Sequence, residues 1–472
     1  MSISKTNNPK STIDMTNGPL LGPIVMYCLP IMVTGMLQLL FNAADIIVVG
    51  QFVNESAVAA VGACAPLINL IINLFVGVSL GATVVLASAI GGRRTEQYEK
   101  IAQTTFTLGA IFGIITAMIG VVFARTFLEW MSTPSDFINE ATLYLRIYFL
   151  GNPAFMIFTF GRALIVADGD TKTPLIYLST AGVFNVVLNV LFVTVVGMGV
   201  EGVAIATVCS QVLSAVLMTR ALMRTTGPAH INLKKLYIDA RSLVRIVSLG
   251  LPVGVQNTLF SLSNVIIQSS VNALGTLCVA GNSACGNIDA FIYTAMNSFT
   301  QGCMTFAGQN YGAGKYERLN KVYGASLFCI TTIGAGLSLL VYFNGPTLLS
   351  LYLPNSPEAI SFGMIRMMFL VLPNFLCGLM DCGSGMLRGI GRSVFPMLAT
   401  ILGSCGLRIL WVYSVFNEIF AKSDNIYSYK VLLFSYPLSW LITFVVLLTY
   451  YFVVMRKLKT RGLNREIHDD KF

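Results

Sequence analysis

Polar side chains recur at helical spacing inside an apolar segment near the N-terminus. Thr34, Gln38, Asn42 and Asp45 follow one another at intervals of four, four and three residues. Such intervals place all four residues on one face of a helix. Because a carboxylate in lipid is costly unless it is paired or faces water, this face is a candidate ion or substrate site.

Two further apolar segments carry polar groups at a matching depth. Asn185 and Asn189 lie four residues apart, and Thr207 follows in the next segment. At about 1.5 Å of rise per residue, Asp45, Asn189 and Thr207 each lie roughly 10 Å below the outer ends of their segments. One carboxylate, two amides and a hydroxyl can form an oxygen cage for Na⁺ or a proton site. A structural ion pair between Asp45 and Arg146, which falls at a similar depth, is an equally open alternative.

The second half of the chain carries a comparable polar face. Asp289, Tyr293, Asn297 and Gln301 recur every four residues. Arg408 comes out near the depth of Asp289, and we expect a structural ion pair between the two rather than a direct substrate contact. We predict that five polar residues of the two faces line a substrate cavity: Gln38, Asn42, Asp289, Tyr293 and Asn297.

Composition places these polar faces in an integral membrane protein. Of 472 residues, 55% are hydrophobic and 11% are charged, and the mean hydropathy is +0.74. Soluble domains carry about 25% charged residues, and about 20 apolar residues span a bilayer. An all-α protein with twelve transmembrane helices is predicted, with spans near residues 20–49, 57–90, 101–124, 141–167, 174–197, 202–223, 242–272, 279–309, 322–345, 359–387, 394–417 and 430–455.

The basic residues lie mostly in alternate loops, which indicates the orientation in the membrane. Lys and Arg concentrate in the N-terminal segment, in the loops near 93–100 and 315–321, around 220–245 and after residue 455. The opposite loops hold three basic residues: Arg125, Lys422 and Lys430. The positive-inside rule therefore places both termini in the cytoplasm. The same distribution accounts for the net charge of +9 without a nucleic-acid partner.

Short motifs recur in order at a nearly constant offset. Matching pairs at an offset of 222 residues include Pro30 with Pro252, Asn42 with Asn264, and Gly169 with Gly391. Such self-similarity indicates an internal duplication. We expect two pseudo-symmetric six-helix lobes, residues 1–224 and 242–472, joined by a cytoplasmic linker at 225–241. Six helices per repeat keep the same orientation, so the lobes relate by an axis along the membrane normal.

Several chemistries are disfavoured by what the sequence lacks. It contains neither a G-x-x-x-x-G-K-[ST] phosphate loop nor an H-E-x-x-H metal motif, and its two histidines, His230 and His468, lie in polar segments. We therefore expect a protein that is not an enzyme, that needs no cofactor, and that binds no metal beyond a possible Na⁺ at Asp45. An ion gradient is the expected energy source.

Six segments resemble the multidrug and toxic compound extrusion (MATE) transporters, in the DinF-like branch of that family. These are LQLLFNAADIIVVG (37–50), GDTKTP (169–174), NVVLNVLFV (185–193), GVEGVAIATVCSQ (199–211), AGQNYGAGKYER (307–318) and MLRGIG (386–391). The resemblance implies two six-helix bundles forming a V around a central cavity, and cation-driven efflux by alternating access.

The resemblance also assigns residues, and this chain departs from it in three places. It assigns the ion-linked aspartate to Asp45 and its polar partners to Asn185 and Thr207. Many DinF-like members carry an aspartate where this chain has Asn189, so a site with two carboxylates is not expected. The acidic residue of helix seven found in NorM-type members is missing from the matching stretch, QNTLFSLSN. Arg162 stands where related proteins usually carry an uncharged residue.

Together these features predict a monomeric efflux transporter of the bacterial inner membrane. We expect it to exchange H⁺ or Na⁺ for small organic substrates that are amphipathic and cationic. A flippase of lipid-linked saccharides is the alternative within transport, although it would normally have 14 helices and a strongly basic cavity. A membrane-embedded enzyme is disfavoured because the spans contain no histidine.

Overall fold

The protein is described here from a computed structural model that covers residues 13–53, 55–131, 133–354, 356–420 and 423–469. Twelve long helices, counted over that part of the chain, follow one another. They are α1 Leu21–Phe52, α2 Glu55–Gly91, α3 Thr95–Trp130, α4 Ile138–Leu150 with Asn152–Ala167, α5 Lys172–Val195, α6 Val200–Arg224, α7 Ala240–Ala273, α8 Thr276–Gly312, α9 Tyr316–Phe343, α10 Pro357–Gly389, α11 Val394–Phe420 and α12 Asn425–Asp469.

All twelve helices coincide with predicted spans, although most extend several residues beyond them. Ten are long and apolar enough to cross a membrane, and α4 becomes an eleventh when its two parts, bent by 46° at Gly151, are taken as one span. The remaining helix, α8, is 37 residues long and carries the polar face from Asp289 to Gln301. It is less apolar because that face lines the interior of the protein.

Buried side chains form two apolar cores that follow the two halves of the sequence. One core runs from Val48 of α1 to Ile246 at the start of α7. The other runs from Ile267 to Met455 and also takes in Val166 of α4 and five residues near the N-terminus: Met15, Ile24, Tyr27, Cys28 and Ile31. Helix α1 takes part in both. Its C-terminal half, with Val48 and Val49, packs into the first core, whereas its N-terminal half, with Tyr27, packs into the second. These are called the outer and inner halves of α1, after the predicted orientation in the membrane.

Glycines set the distance between helices of the two halves. Gly77 and Gly81 of α2 lie directly against Gly254 and Gly250 of α7, so closely that a Cβ at any of them would overlap the backbone of the other helix. Small residues permit such close helix crossings in membranes. The crossing holds α2 of the first half directly against α7 of the second.

Prolines lie inside several of the long helices. Pro30 lies in α1, Pro66 in α2, Pro252 in α7 and Pro437 in α12. A proline inside a helix removes one backbone hydrogen bond and favours a bend. In α1, Pro30 lies between Val48 and Val49, which pack into the first core, and Tyr27, which packs into the second. The side of the membrane on which the termini lie stays a prediction from the basic residues.

Candidate functional site

The four residues predicted to bind a cation form one connected hydrogen-bond network. The amide Nδ2 of Asn189 donates to Asp45 Oδ1 at 2.5 Å and lies 3.3 Å from Asn185 Oδ1. The amide of Asn185 donates in turn to Thr207 Oγ1 at 3.4 Å. Asp45 is on α1, the two asparagines are on α5 and Thr207 is on α6. The network therefore joins three helices of the first half.

No cationic side chain pairs with Asp45 in the part of the chain that the structure describes. There the only ion pair within 4 Å joins Arg125 and Glu129, in the exposed C-terminal turn of α3. The alternative pairing of Asp45 with Arg146 is wrong, because Arg146 is directed away from it and donates its Nε hydrogen to the carbonyl of Val121 at 3.2 Å. The Asp45 carboxylate is thus held by one neutral amide group, that of Asn189.

One acceptor in this network is unsatisfied. The Oδ1 atom of Asn189 is buried and accepts no hydrogen bond from the described residues, and the residue as a whole is fully buried. A buried acceptor without a partner carries a desolvation cost of about 1–3 kcal/mol. Asn189 Oδ1 belongs to the same side-chain amide that donates to Asp45. A proton donor or a cation at the carboxylate would remove that cost.

A central cavity of about 650 Å³ lies between the halves. Helices α2 and α4 of the first half line it together with α7, α8, α10, α11 and α12 of the second. The predicted residues Asp289, Tyr293 and Asn297 are on its wall. Gln38 and Asn42 are not; both are exposed on α1. The structure therefore brings three of the five predicted cavity residues together.

Charged side chains on the cavity wall are held by neutral partners. Asp289 accepts a hydrogen bond from the amide of Asn374 at 2.6 Å, and Arg366 donates to the carbonyl oxygen of the Asn282 side chain. Arg366 is close enough to Asp289 to interact electrostatically, without forming an ion pair within 4 Å. Asp381 also lines the cavity. Buried charges without an ionic partner are unusual in structural roles and indicate a functional surface.

Two more arginines reach the cavity near the ends of their helices. Arg162, five residues before the end of α4, donates to Gln301 Oε1 at 3.3 Å. Arg388, next to the last residue of α10, donates to Gln256 Oε1 at 2.7 Å. α4 and α10 finish at the same end of the protein, the inner end, which the basic loops predict to face the cytoplasm. The cavity thus has a basic inner part.

The predicted ion pair between Arg408 and Asp289 is wrong. Arg408 is fully buried; its Nε donates to Ser439 Oγ at 2.9 Å, and its guanidinium lies 4.1 Å from the ring centroid of Tyr436. The rings of Phe260 and Trp440 lie 5.4 and 5.5 Å away. Arg408 is therefore stabilised by cation–π contacts in an aromatic cage, and all three cage residues, Phe260, Tyr436 and Trp440, line the cavity.

The inner end of the protein is closed by close contacts between the halves. Gln309 of α8 donates to the carbonyl of Ala167 at 3.0 Å. Gly91, at the end of α2, lies against the backbone of Gln309. Within the first half, Tyr27 of α1 donates to the carbonyl of Val166 at 2.9 Å. These contacts pack α2, α4 and α8 together at the inner end.

A buried carboxyl group lies beside this closure, outside the spans. Asp168 follows the last residue of α4, and its Oδ2 approaches Gly227 of the linker. Burial, and to a smaller extent the charge of Asp170, raise the pKa of Asp168 to about 7. Asp170 itself caps the start of α5 through hydrogen bonds to Thr173. Asp168 is thus the carboxyl group of this turn whose protonation changes near neutral pH.

Sequence reasoning missed several cavity residues. Arg388 falls one residue beyond the predicted span 359–387, and Gln256, Asn282 and Asn374 are not among the predicted site residues. A signal was present in α7, where Gln256, Asn264 and Gln268 lie at multiples of four residues and all line the cavity. Uncharged polar residues at helical spacing in an apolar span would have identified that face.

The MatE family model matches this sequence twice, over residues 30–191 and 252–414. The chain belongs to the MatE family. Its members are multi-pass transporters of the cell membrane rather than enzymes, and they handle small organic substrates. The two matches cover both halves of the chain, including Asp45 and Asn189 in the first and the cavity-lining helices α8 and α10 in the second.

Relatives and solved structures agree with this assignment. The chain is 26% identical over 443 residues to the probable multidrug resistance protein YoeA of Bacillus subtilis, covering 92% of this chain and 93% of that protein. It is 22% identical to the FAD transporter of Shewanella oneidensis, over 87% and 90% of the two chains. A multidrug resistance MATE transporter solved in an outward-facing conformation superposes with a TM-score of 0.88, at 20% identity, over 96% of this chain and all of that one.

Proposed function

We propose that this MatE-family transporter exports amphipathic organic compounds and drives export by the inward movement of H⁺ or Na⁺ bound at Asp45. The observation that carries this proposal is the network of Asp45, Asn189, Asn185 and Thr207. It contains one carboxylate, joins three helices and holds no cationic side chain among the described residues. Because no cationic side chain in the described part of the chain neutralises this carboxylate, its negative charge is available to bind H⁺ or Na⁺.

The donor set suits either ion. With Na⁺, the Asp45 carboxylate and neutral oxygens of Asn185, Asn189 and Thr207 supply the hard ligands that such a cation prefers. With H⁺, the protonated Asp45 becomes a donor, and the unpartnered Oδ1 of Asn189 is a buried acceptor beside it. A single carboxylate limits the site to one net negative charge. We therefore expect one H⁺ or one Na⁺ per cycle.

Helix α1 gives a physical route from this site to the cavity. Asp45 is in its outer half, while its inner half packs on α8, where Cys28 lies against Gly302 and Gly35 against Thr294. Pro30 interrupts the helix between Asp45 and the inner end. Loss of charge at Asp45 weakens its bond to Asn189 on α5, and the outer half of α1 is then free to shift relative to the inner half.

The cavity is the proposed substrate site, and its charges refine the expected substrate. The resemblance implied an organic cation. The wall carries three arginines, Arg162, Arg366 and Arg388, and two aspartates, Asp289 and Asp381, so its net charge does not favour a cation. One relative is named as a transporter of FAD, a compound that carries phosphates. We therefore propose efflux of amphipathic compounds without restriction to cations.

The proposal is tested by efflux from cells that lack their own pumps. The wild-type transporter is expressed beside a vector control, and dyes of different charge are loaded under imposed pH or Na⁺ gradients. We expect uphill export that stops when one of the two gradients is collapsed. Export that proceeds at the same rate without either gradient would contradict cation coupling.

A further inference from the structure

The inner part of the cavity has two arginines that form no ion pair within 4 Å with any described residue. Arg162 comes from the first half of the chain and Arg388 from the second, and both line the cavity. Each is bonded to a glutamine carbonyl, Gln301 for Arg162 and Gln256 for Arg388. Glutamine is neutral, so the positive charges are held in place and not cancelled.

Arg388 also has an unused donor. Its side chain is more than nine-tenths buried, and its Nε hydrogen has no partner among the described residues. An arginine is always charged and presents its donors in a planar fork that matches carboxylates and phosphates. A buried charged donor without a partner is costly. A ligand with an anionic group would satisfy it.

The acidic side chains of the cavity do not cancel the positive charge of Arg162 and Arg388. Asp381 is within electrostatic range of Arg388 and of Tyr293, while Asp289 lies nearer Arg366 and is bonded to Asn374. The inner part therefore holds two arginines against one aspartate. Aromatic rings of Tyr436, Trp440 and Phe260 line the same cavity and give apolar surface for the rest of a ligand.

We propose that the cavity binds an amphipathic organic anion, whose carboxylate or phosphate group lies between Arg162 and Arg388 at the inner end. This rests on the proposed function and specifies its substrate class. Because the two arginines come from different halves of the chain, the anion bridges the halves while the inner end is closed. Arg162, the departure from related sequences, is then a specificity residue.

The test uses two xanthene dyes that differ in charge, fluorescein as the anion and pyronin Y as the cation. Binding to the purified full-length protein in detergent is followed by fluorescence anisotropy, without any ion gradient. We expect fluorescein to bind more tightly than pyronin Y. Loss of one charged hydrogen bond is worth about tenfold in affinity or more, so Arg162→Gln and Arg388→Gln should each weaken fluorescein binding by that factor.

Matched controls separate a local charge effect from misfolding. Arg162→Lys, which keeps the charge, should retain most of the binding. Arg146→Gln removes an exposed arginine that bonds to the Val121 carbonyl outside the cavity and should leave the binding unchanged. If Arg388→Gln does not give a single size-exclusion peak, Arg162→Gln decides the result, since Arg162 is only partly buried.

Two sets of outcomes overturn the proposal. Tighter binding of pyronin Y, or binding of neither dye, contradicts the anionic substrate class. Fluorescein binding that is equal in wild type and Arg162→Gln contradicts the assigned site. Failure of the coupling mechanism is distinguishable, because the binding assay contains no ion gradient; if uphill export does not depend on Asp45, the coupling proposal fails while the binding result stands.

Discussion

Asn189 donates a 2.5 Å hydrogen bond to the carboxylate of Asp45 and thereby ties α5 to α1. At this position the chain carries an amide and not a second carboxylate, and the amide is fully buried. The bond is the only direct side-chain link to Asp45 among the described residues. Its donor stabilises the ionised carboxylate without adding charge.

Asn189→Asp tests the effect of that single carboxylate. Two carboxylates in contact cannot easily both ionise, so the variant site should hold a proton at a higher pH than the wild-type site. We expect the pH optimum of efflux to move upward, as measured in proteoliposomes over a pH series. Asn189→Ser is the neutral control. An unchanged optimum in Asn189→Asp would show that this site does not set the pH dependence.

Arg408 is predicted to stabilise the protein through its aromatic cage rather than through Asp289. A desolvated cation–π contact is worth about 2 kcal/mol, and Arg408→Met should lower the melting temperature in detergent. Arg408→Lys should rescue little because it lacks the planar guanidinium. In a double-mutant cycle, Asp289→Asn and Arg408→Met should be additive. If Asp289→Asn instead offsets the loss of stability caused by Arg408→Met, the result would support an ion pair between Arg408 and Asp289 and contradict the aromatic-cage account.

The wrong prediction of an ion pair between Arg408 and Asp289 shows that position in the sequence does not determine the direction in which a side chain leaves its helix. The twelve helices, the polar face of α8 and the four residues around Asp45 followed from hydropathy, depth and helical spacing. Depth gives height along a helix but not direction around it. In α11, π-helical turns at Ile401–Gly406 and Val412–Phe416 flank Arg408 and rotate its face.

Helical drift accounts for Asn42 but not for Gln38. At 3.6 residues per turn, each step of four residues advances about 40° beyond a full turn. Thr34 and Asp45, eleven residues apart, return to almost the same direction, and the structure buries Thr34 and engages Asp45. Asn42 departs from Thr34 by about 80° and is exposed, whereas Gln38 departs by only about 40° and is exposed as well. The hydrogen bonds of Arg162 and Arg388, which link distant parts of the chain, had no local signal.

The contact between Gly91 and Gln309 is predicted to control closure of the inner end. A Cβ at Gly91 would overlap the Gln309 backbone, and overpacking costs about 1–3 kcal/mol. Gly91→Ala should therefore shift the population toward an open inner end. Spin labels at the exposed positions Glu96 and Glu317 would report a longer distance by double electron–electron resonance.

A matched glycine substitution controls for helix propensity. A Cβ at Gly324 meets no atom within 4 Å, so Gly324→Ala should keep the wild-type distance distribution. Equal distributions in Gly91→Ala and Gly324→Ala would mean that this contact does not limit closure.

Asp168 is predicted to make the stability of the closed protein depend on pH. Its pKa is about 7 in the folded protein, above the ordinary value of 3.8, so folding favours the protonated form. Stability from this group is therefore present at low pH and is lost as the pH rises toward 7. The loss begins near pH 3.8 and is complete near pH 7, so Asp168→Asn should melt slightly above the wild type at pH 5 and well above it at pH 8. A variant that is less stable than the wild type at pH 8 would refute this.

The most direct test of the central claim is uphill transport by Asp45→Asn in proteoliposomes. Imposed H⁺ and Na⁺ gradients are compared for wild type, Asp45→Asn and the control Arg146→Gln, with reconstituted protein quantified in each case. The amide removes the only carboxylate of the network while keeping its size, so the variant should reconstitute normally but fail to accumulate substrate against a gradient. Arg146→Gln should transport as the wild type does. Gradient-driven accumulation by Asp45→Asn at the wild-type rate would contradict the account and direct attention to Asp289 and Asp381.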